Sequence, residues 1–345
     1  TALLGTAETT EVYGTRCVAR TKQKTALDVK RCTAIALDEP QKLSYVIELK
    51  DPSPSRDIAN YRRTLSQTTS GRSLSRNVFE VDDKKNAELR LCFEVDRSLT
   101  LYRLDPLLST LPNPPPRLTA KEVEQADFGE ILSGIARFNK LLALNNVTSR
   151  PFADQVTFQM YRLTRPSDSN SYSSHESGFI LRETDKLVQT TAYGHEVQED
   201  EEYAMLLHNH TMESLFVQIR YFDPDTYEIV DAYQPITNIQ PNLPANGSLQ
   251  IGASTEWHEP LGFFLPRSAT RATLFAKVFL ADSFTKLDLL YQQALVGVDW
   301  SGKSNVISRE SGAGDYGRAD DKADVQTVGR WDTVLQRITV VRSGG

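Results

Sequence analysis

The run LFVQIRYF at residues 215–222 limits the possible folds more than any other stretch of this sequence. Leu215, Val217, Ile219 and Tyr221 fall on one side of an extended chain, and Phe216, Gln218, Arg220 and Phe222 on the other. That is the period of a β-strand, not of a helix. Asp223-Pro224-Asp225 follows as a turn signal, because proline presets φ and aspartate bonds its own backbone. The next segments, EIVDAY, SLQIG, LGFFL and TLFAKVFL, are short and separated by Pro, Gly, Asn and Ser clusters. Strands at that spacing predict an antiparallel, immunoglobulin-like β-sandwich.

The 345 residues allow two or three compact units. Residues 1–54 read as a small N-terminal β-unit built from EVYGTRCVA, CTAIALD and KLSYVIELK. Residues 55–150 read as a hairpin-plus-helix, α+β segment. In it Ile58, Tyr61 and Leu65 mark a short helix, and Ala87, Leu89, Leu91, Phe93 and Val95 alternate with polar neighbours. LTLYRLD forms the return strand. Beyond the proline-rich LPNPPPR, Thr119 and Glu122 make a capping box. Phe128, Ile131, Ile135, Phe138 and Leu142 then recur at helical spacing, so one amphipathic helix is expected over residues 119–144. Residues 151–345 form the C-terminal sandwich, opened by VTFQMYRL and closed by WDTVLQRITVV. The apolar-poor stretch 299–328 reads as a mobile insertion, and the acidic run 196–202 as a solvated edge. The fold class expected is mainly β.

A net charge of −6 offers no basic field for a phosphate backbone, so nucleic acid is not an expected partner. No apolar run reaches the ~20 residues that cross a bilayer, and no membrane partner is expected. Three cysteines in separate segments fit a reducing, cytoplasmic setting. The chain begins at Thr1, which reads as a fragment of a longer protein.

Each group with chemical potential carries a plainer reading. Gly312, Gly314 and Gly317 match GxGxxG, but neither a buried strand nor a helix flanks them, so a loop is expected. His208 and His210 share a strand face and would need a third metal ligand, such as His195 or the 199–202 carboxylates. Cys17, Cys32 and Cys92 all lie in expected strands, where cysteine is small filling. No GxSxG elbow occurs. Trp257, Phe263, Phe264 and Tyr233 are candidates for a glycan or peptide platform, with core packing as the alternative. Asn146, Asn209 and Asn246 head glycosylation triplets. No catalytic, cofactor-binding or metal residue is therefore assigned.

From YFDPDTYEIVDAYQP through LPANGSLQIG and PLGFFLPRSATRATLFAKVFLA to WDTVLQRITVV, the sequence resembles the C-terminal region of caspase-like, metacaspase-type proteins of mushroom-forming fungi (peptidase C14). The resemblance implies a β-sandwich module that follows a protease domain. That family's His and Cys catalytic segments have no counterpart here, so its proteolysis cannot be carried onto this chain. The function expected is a non-catalytic accessory region that regulates or targets a protease domain through protein–protein contact. The alternatives are a stand-alone lectin-like or peptide-binding sandwich and a cryptic hydrolase.

Overall fold

The computed structural model describes residues 7–13, 16–21, 43–50, 78–146, 150–164, 181, 185–192, 194–235, 239–252, 260–265, 269–284, 287, 290–296 and 330–342. In chain order the strands are β1 (Ala7–Tyr13), β2 (Arg16–Thr21), β3 (Leu43–Leu49), β4 (Val78–Glu80), β5 (Leu89–Phe93), β6 (Leu99–Arg103) and β7 (Arg117–Leu118). Two helices follow, α1 (Ala120–Gln125) and α2 (Phe128–Ala143). The remaining strands are β8 (Val156–Arg162), β9 (Lys186–Leu187), β10 (Thr190–Thr191), β11 (Gly194–Gln198), β12 (Glu202–Asn209), β13 (Phe216–Asp223), β14 (Glu228–Tyr233), β15 (Ser248–Ile251), β16 (Leu261–Gly262), β17 (Arg271–Ala281) and β18 (Trp331–Val341). The chain is mainly β, as its alternating sequence dictates.

A six-stranded sheet in the order β10-β11-β18-β17-β13-β14 forms the wall on which the rest is built. Against one face lies the sheet β15-β12-β8-β9, with β16 paired to β12, which completes a sandwich. Between them Met160, Met205, Leu207 and Ile251 meet Val217, Ile219, Leu274, Val278 and Ile338 in one buried cluster. Against the other face lies α2, followed by a third sheet, β4-β3-β5-β6-β7. Here Leu89, Leu91 and Leu101 of the third sheet and Phe128, Ile135 and Phe138 of α2 close over Phe222, Ile229 and Phe275.

The wall thus divides two apolar cores, and for that reason all eight residues of β13 are buried. Each large apolar side chain removed from water contributes roughly 1.5–3 kcal/mol. A strand that fills two cores at once is therefore held from both sides.

The helical stripe behaves as its spacing predicts, with Phe128, Ile131, Ile135, Phe138 and Leu142 all buried. The capping box is also present: Thr119 Oγ1 accepts from the Glu122 amide, and the Glu122 carboxylate accepts from the Thr119 amide. The single helix expected over 119–144 is instead two. The first ends at Gln125, where Ala126 turns extended, and Asp127 caps the second by accepting from the Glu130 amide at 3.1 Å.

Two further expectations are corrected by pairing. EVYGTRCVA is not one strand, because β1 and β2 pair antiparallel as a hairpin. KLSYVIELK, placed by sequence in a separate N-terminal unit, supplies β3, which runs parallel to both β4 and β5 and so belongs to the third sheet. The closing strand β18 is interior, with β17 antiparallel on one side and β11 parallel on the other. The acidic run lies at a solvated margin, with Glu196 and Asp200 exposed, and carries surface ion pairs: Glu196 with Arg271 at 2.6 Å and Glu199 with Arg342 at 3.1 Å. CTAIALD, the short helix expected near Ile58 and the 299–328 insertion lie outside the described residues.

Candidate functional site

The most polar buried region of the described chain is where the β13–β14 turn meets the third sheet and α2. The turn is made locally. Asp223 Oδ1 accepts from the Asp225 amide at 2.8 Å, and Asp223 Oδ2 accepts from Thr226 Oγ1 at 3.0 Å. Such side-chain-to-backbone bonds stand in for a ladder and reverse the chain. Tyr227 then adopts φ +56°, a left-handed conformation unusual for a bulky residue. Its ring is fully buried edge-on to Phe138, centroids 5.3 Å apart, and its carbonyl accepts from Gln292 Nε2 at 2.6 Å. Tertiary packing, not propensity, holds it there.

Asp225 carries the turn's charge across to the other core. Arg103 Nη2 donates to Asp225 Oδ1 at 2.8 Å, and Asn113 Nδ2 donates to Oδ2 at 2.7 Å. Asn113 also reaches the wall itself. Its Nδ2 donates to the Thr273 carbonyl at 3.2 Å, and its Oδ1 accepts from the Thr273 amide at 2.8 Å. One carboxylate and one amide therefore tie β6, the loop after it, the β13–β14 turn and β17.

Beside this bridge is a narrow crevice lined by Glu88, Leu89, Arg103, Asp105, Leu108, Ile135, Asn139 and Tyr227, too tight to seat a water molecule. Asn139 Oδ1 lines it as a buried polar atom without a hydrogen-bond partner, Tyr227 Oη lies beside the Arg103 guanidinium, and Glu228 Oε2 is unpartnered in the adjoining strand. Each such atom costs about 1–3 kcal/mol.

Acidities respond to this enclosure. Burial, then the neighbouring Asp225, raises the Asp223 carboxyl to about 7, against the bonds from Asp225 and Thr226 that favour its charge. Burial raises Asp225 as well, opposed by Arg103 and Asn113. Tyr227 is raised, again chiefly by burial.

A second buried charge lies on the same face of the wall. Lys277 on β17 donates to the carbonyls of Leu141 at 2.7 Å and Leu142 at 2.8 Å, and also to that of Leu144. These end α2, whose last carbonyls have no intrahelical donor. Burial lowers the ammonium to about 7, although three carbonyls and the negative end of the helix dipole face it. Its partner across the ladder is another cation, Arg220, which lies against Asp231.

The candidates taken from sequence disperse. His208 Nδ1 bonds Ser248 Oγ at 2.6 Å, and the His208 and His210 rings meet edge to face at 4.4 Å. Among the described residues no group of three or more His, Cys, Asp or Glu is placed to hold a metal. His195 instead packs on Phe158 at the sandwich margin, and burial lowers its pKa.

Cys92 is buried in β5, with its thiol raised by desolvation first. Phe263 and Tyr233 are core residues and Phe264 is exposed, so no aromatic platform forms among the described residues. Of the three triplet asparagines, Asn146 donates to the Trp331 carbonyl at 2.7 Å, Asn209 to the Glu213 and Pro244 carbonyls, and only Asn246 is exposed. The glycine triplet at 312–317, Cys32 and Trp257 lie outside the described residues, and of Cys17 only the β2 backbone is described.

Sequence reasoning named Asp223 and Asp225 only as a turn and did not single out Arg103, Asn113 or Lys277. The Asp-Pro-Asp run between two strands was the one available signal. No helix among the described residues is long and apolar enough to cross a membrane. Compared with known proteins, the chain matches no family model, no curated protein and no solved structure.

Proposed function

We propose that this chain is a non-catalytic, protein-binding β-rich region and, following its sequence resemblance, the accessory part of a caspase-like cysteine protease. The observation that carries the reading is what the perturbed groups are bonded to. Lys277 is spent on the end of α2, and Asp225 on Arg103 and Asn113. Asp223 is spent on its own turn. Groups that perform catalysis need a substrate within reach, and each of these is instead engaged by the protein's own donors or acceptors. The Cys92 thiol is kept neutral and buried, the opposite of the electropositive, accessible setting that activates a nucleophile.

Apolar loop tips support contact with another protein. Met212, between β12 and β13, and Ile239, between β14 and β15, are both well exposed. The Met212 sulfur accepts from Asn246 Nδ2 at 3.1 Å, which ties the loop of Met212 to the one that carries Ile239. Exposed side chains of this kind at a sandwich end are typical of recognition loops.

Titration of the purified chain with a caspase-like protease domain in a calorimeter tests the proposal. Binding with Kd near or below roughly 10 μM, weakened at least about tenfold by Met212→Asp with Ile239→Asp, is the expected result. Absence of binding, together with peptide hydrolysis by the chain alone that iodoacetamide abolishes, would reject it in favour of a hydrolase.

A further inference from the structure

We propose that the seam between the third sheet and the wall is a proton-operated latch, closed when a proton resides on the Asp223/Asp225 pair and loosened when it leaves. The count of charges in the seam carries the inference. The β13–β14 turn and β14 bring Asp223, Asp225 and Glu228, with Asp223 and Glu228 buried. Glu88 arrives from the start of β5 and Asp105 from the loop after β6. α2 adds the neutral Asn139 at the adjoining crevice, β17 adds Thr273 bonded to Asn113, and burial keeps Tyr227 uncharged in this range. Among the described residues one cation, Arg103, meets this group of carboxylates, through Asp225.

A guanidinium can satisfy one carboxylate fully, and here it serves Asp225. Asp223 has two local donors and, among the described residues, no countercharge, and it stands two residues from an ionised neighbour. Asp223 is buried and Asp225 keeps a quarter of its side chain exposed, and a buried carboxyl so close to a charged one does not ionise readily. With its carboxyl protonated, Asp223 keeps its turn, and Asp225 keeps Arg103 and Asn113 to itself. Once Asp223 ionises, repulsion falls on Asp225, the very group through which the turn grips β6 and β17.

The sign follows from linkage. A carboxyl whose folded pKa lies above its unfolded value adds stability that is full below the unfolded pKa and is lost as pH rises through the folded one. The latch is therefore tighter in mildly acidic solution than in mildly alkaline solution.

Hydrogen exchange read by mass spectrometry on the whole chain tests it, following peptides that cover residues 99–113 and 221–230. Rates are corrected for intrinsic pH dependence and referred to peptides of β8. Protection at about pH 5.5 should exceed that at about pH 8 by at least about threefold in these peptides alone. Asp223→Asn should keep protection high at both values, and Asp225→Asn should lower it at both. Equal protection in wild type, or Asp223→Asn retaining the wild-type pH dependence, overturns the latch. Should either variant fail to fold, infrared spectroscopy of the wild type decides. A protonated-carboxyl carbonyl band that disappears near neutrality supports the latch, and its absence above about pH 5.5 overturns it.

Discussion

The Lys277 ammonium lies 2.7 Å from the Leu141 carbonyl oxygen although the two are 136 residues apart in the chain. A strand of the wall thereby caps a helix of the opposite layer. Lys277→Met should leave the carbonyls of Leu141, Leu142 and Leu144 without this donor and lower stability by about 1–3 kcal/mol, read as the urea midpoint. The pH dependence has a definite sign. A folded pKa of about 7, below the usual 10.5, means that the unfolded chain holds more protons between those values. Wild-type stability should therefore rise with pH across that interval, and the Met variant should lack this component.

Gly194 begins β11 at φ +89°, and a Cβ there would stand 2.2 Å from the Arg337 carbonyl oxygen. Backbone cannot move aside as a side-chain tip can. Gly194→Ala should cost about 2–4 kcal/mol, with early loss of exchange protection in residues 194–198 where β11 runs beside β18.

Val217 and Ile219 are wholly buried in the sandwich core. An unpaired carboxylate at either place has no compensating donor. Val217→Asp or Ile219→Asp should cost more than about 4 kcal/mol and leave no cooperative thermal transition.

His195 is buried beside Phe158, and desolvation lowers its pKa. Its contribution to stability should be full above about 6.5, the ordinary value, and fade as pH falls through the lowered one. His195→Gln should remove that acid-side loss, seen as a flatter melting temperature below about pH 6.5.

How far the sequence carried the reading depended on range. The strand alternation at 215–222 and the Thr119/Glu122 box are local patterns, and both elements formed where read. The gap at Asp127 was missed because the apolar stripe continues across it. Gln218 and Arg220 read as one partly polar face of a strand; α2 and the third sheet cover that face. Lys277 similarly gives no hint of burial, since its carbonyl partners lie 133 to 136 residues away. The parallel pairing of β11 with β18 likewise joins segments that no local periodicity links. The Asp223–Asp225 turn was legible, but not Arg103 and Asn113, which give it its partners.

The central claim is that the six-stranded wall makes its two cores one cooperative unit, and Cys92 provides the most direct measurement. In a Cys17→Ser, Cys32→Ser variant the sole thiol is the one buried in β5 of the third sheet. Its pulsed alkylation along a urea gradient, compared with the far-ultraviolet β-signal, reports whether that sheet opens before the sandwich. The account predicts coincident midpoints. Labelling that is complete while the β-signal of the sandwich persists would contradict it.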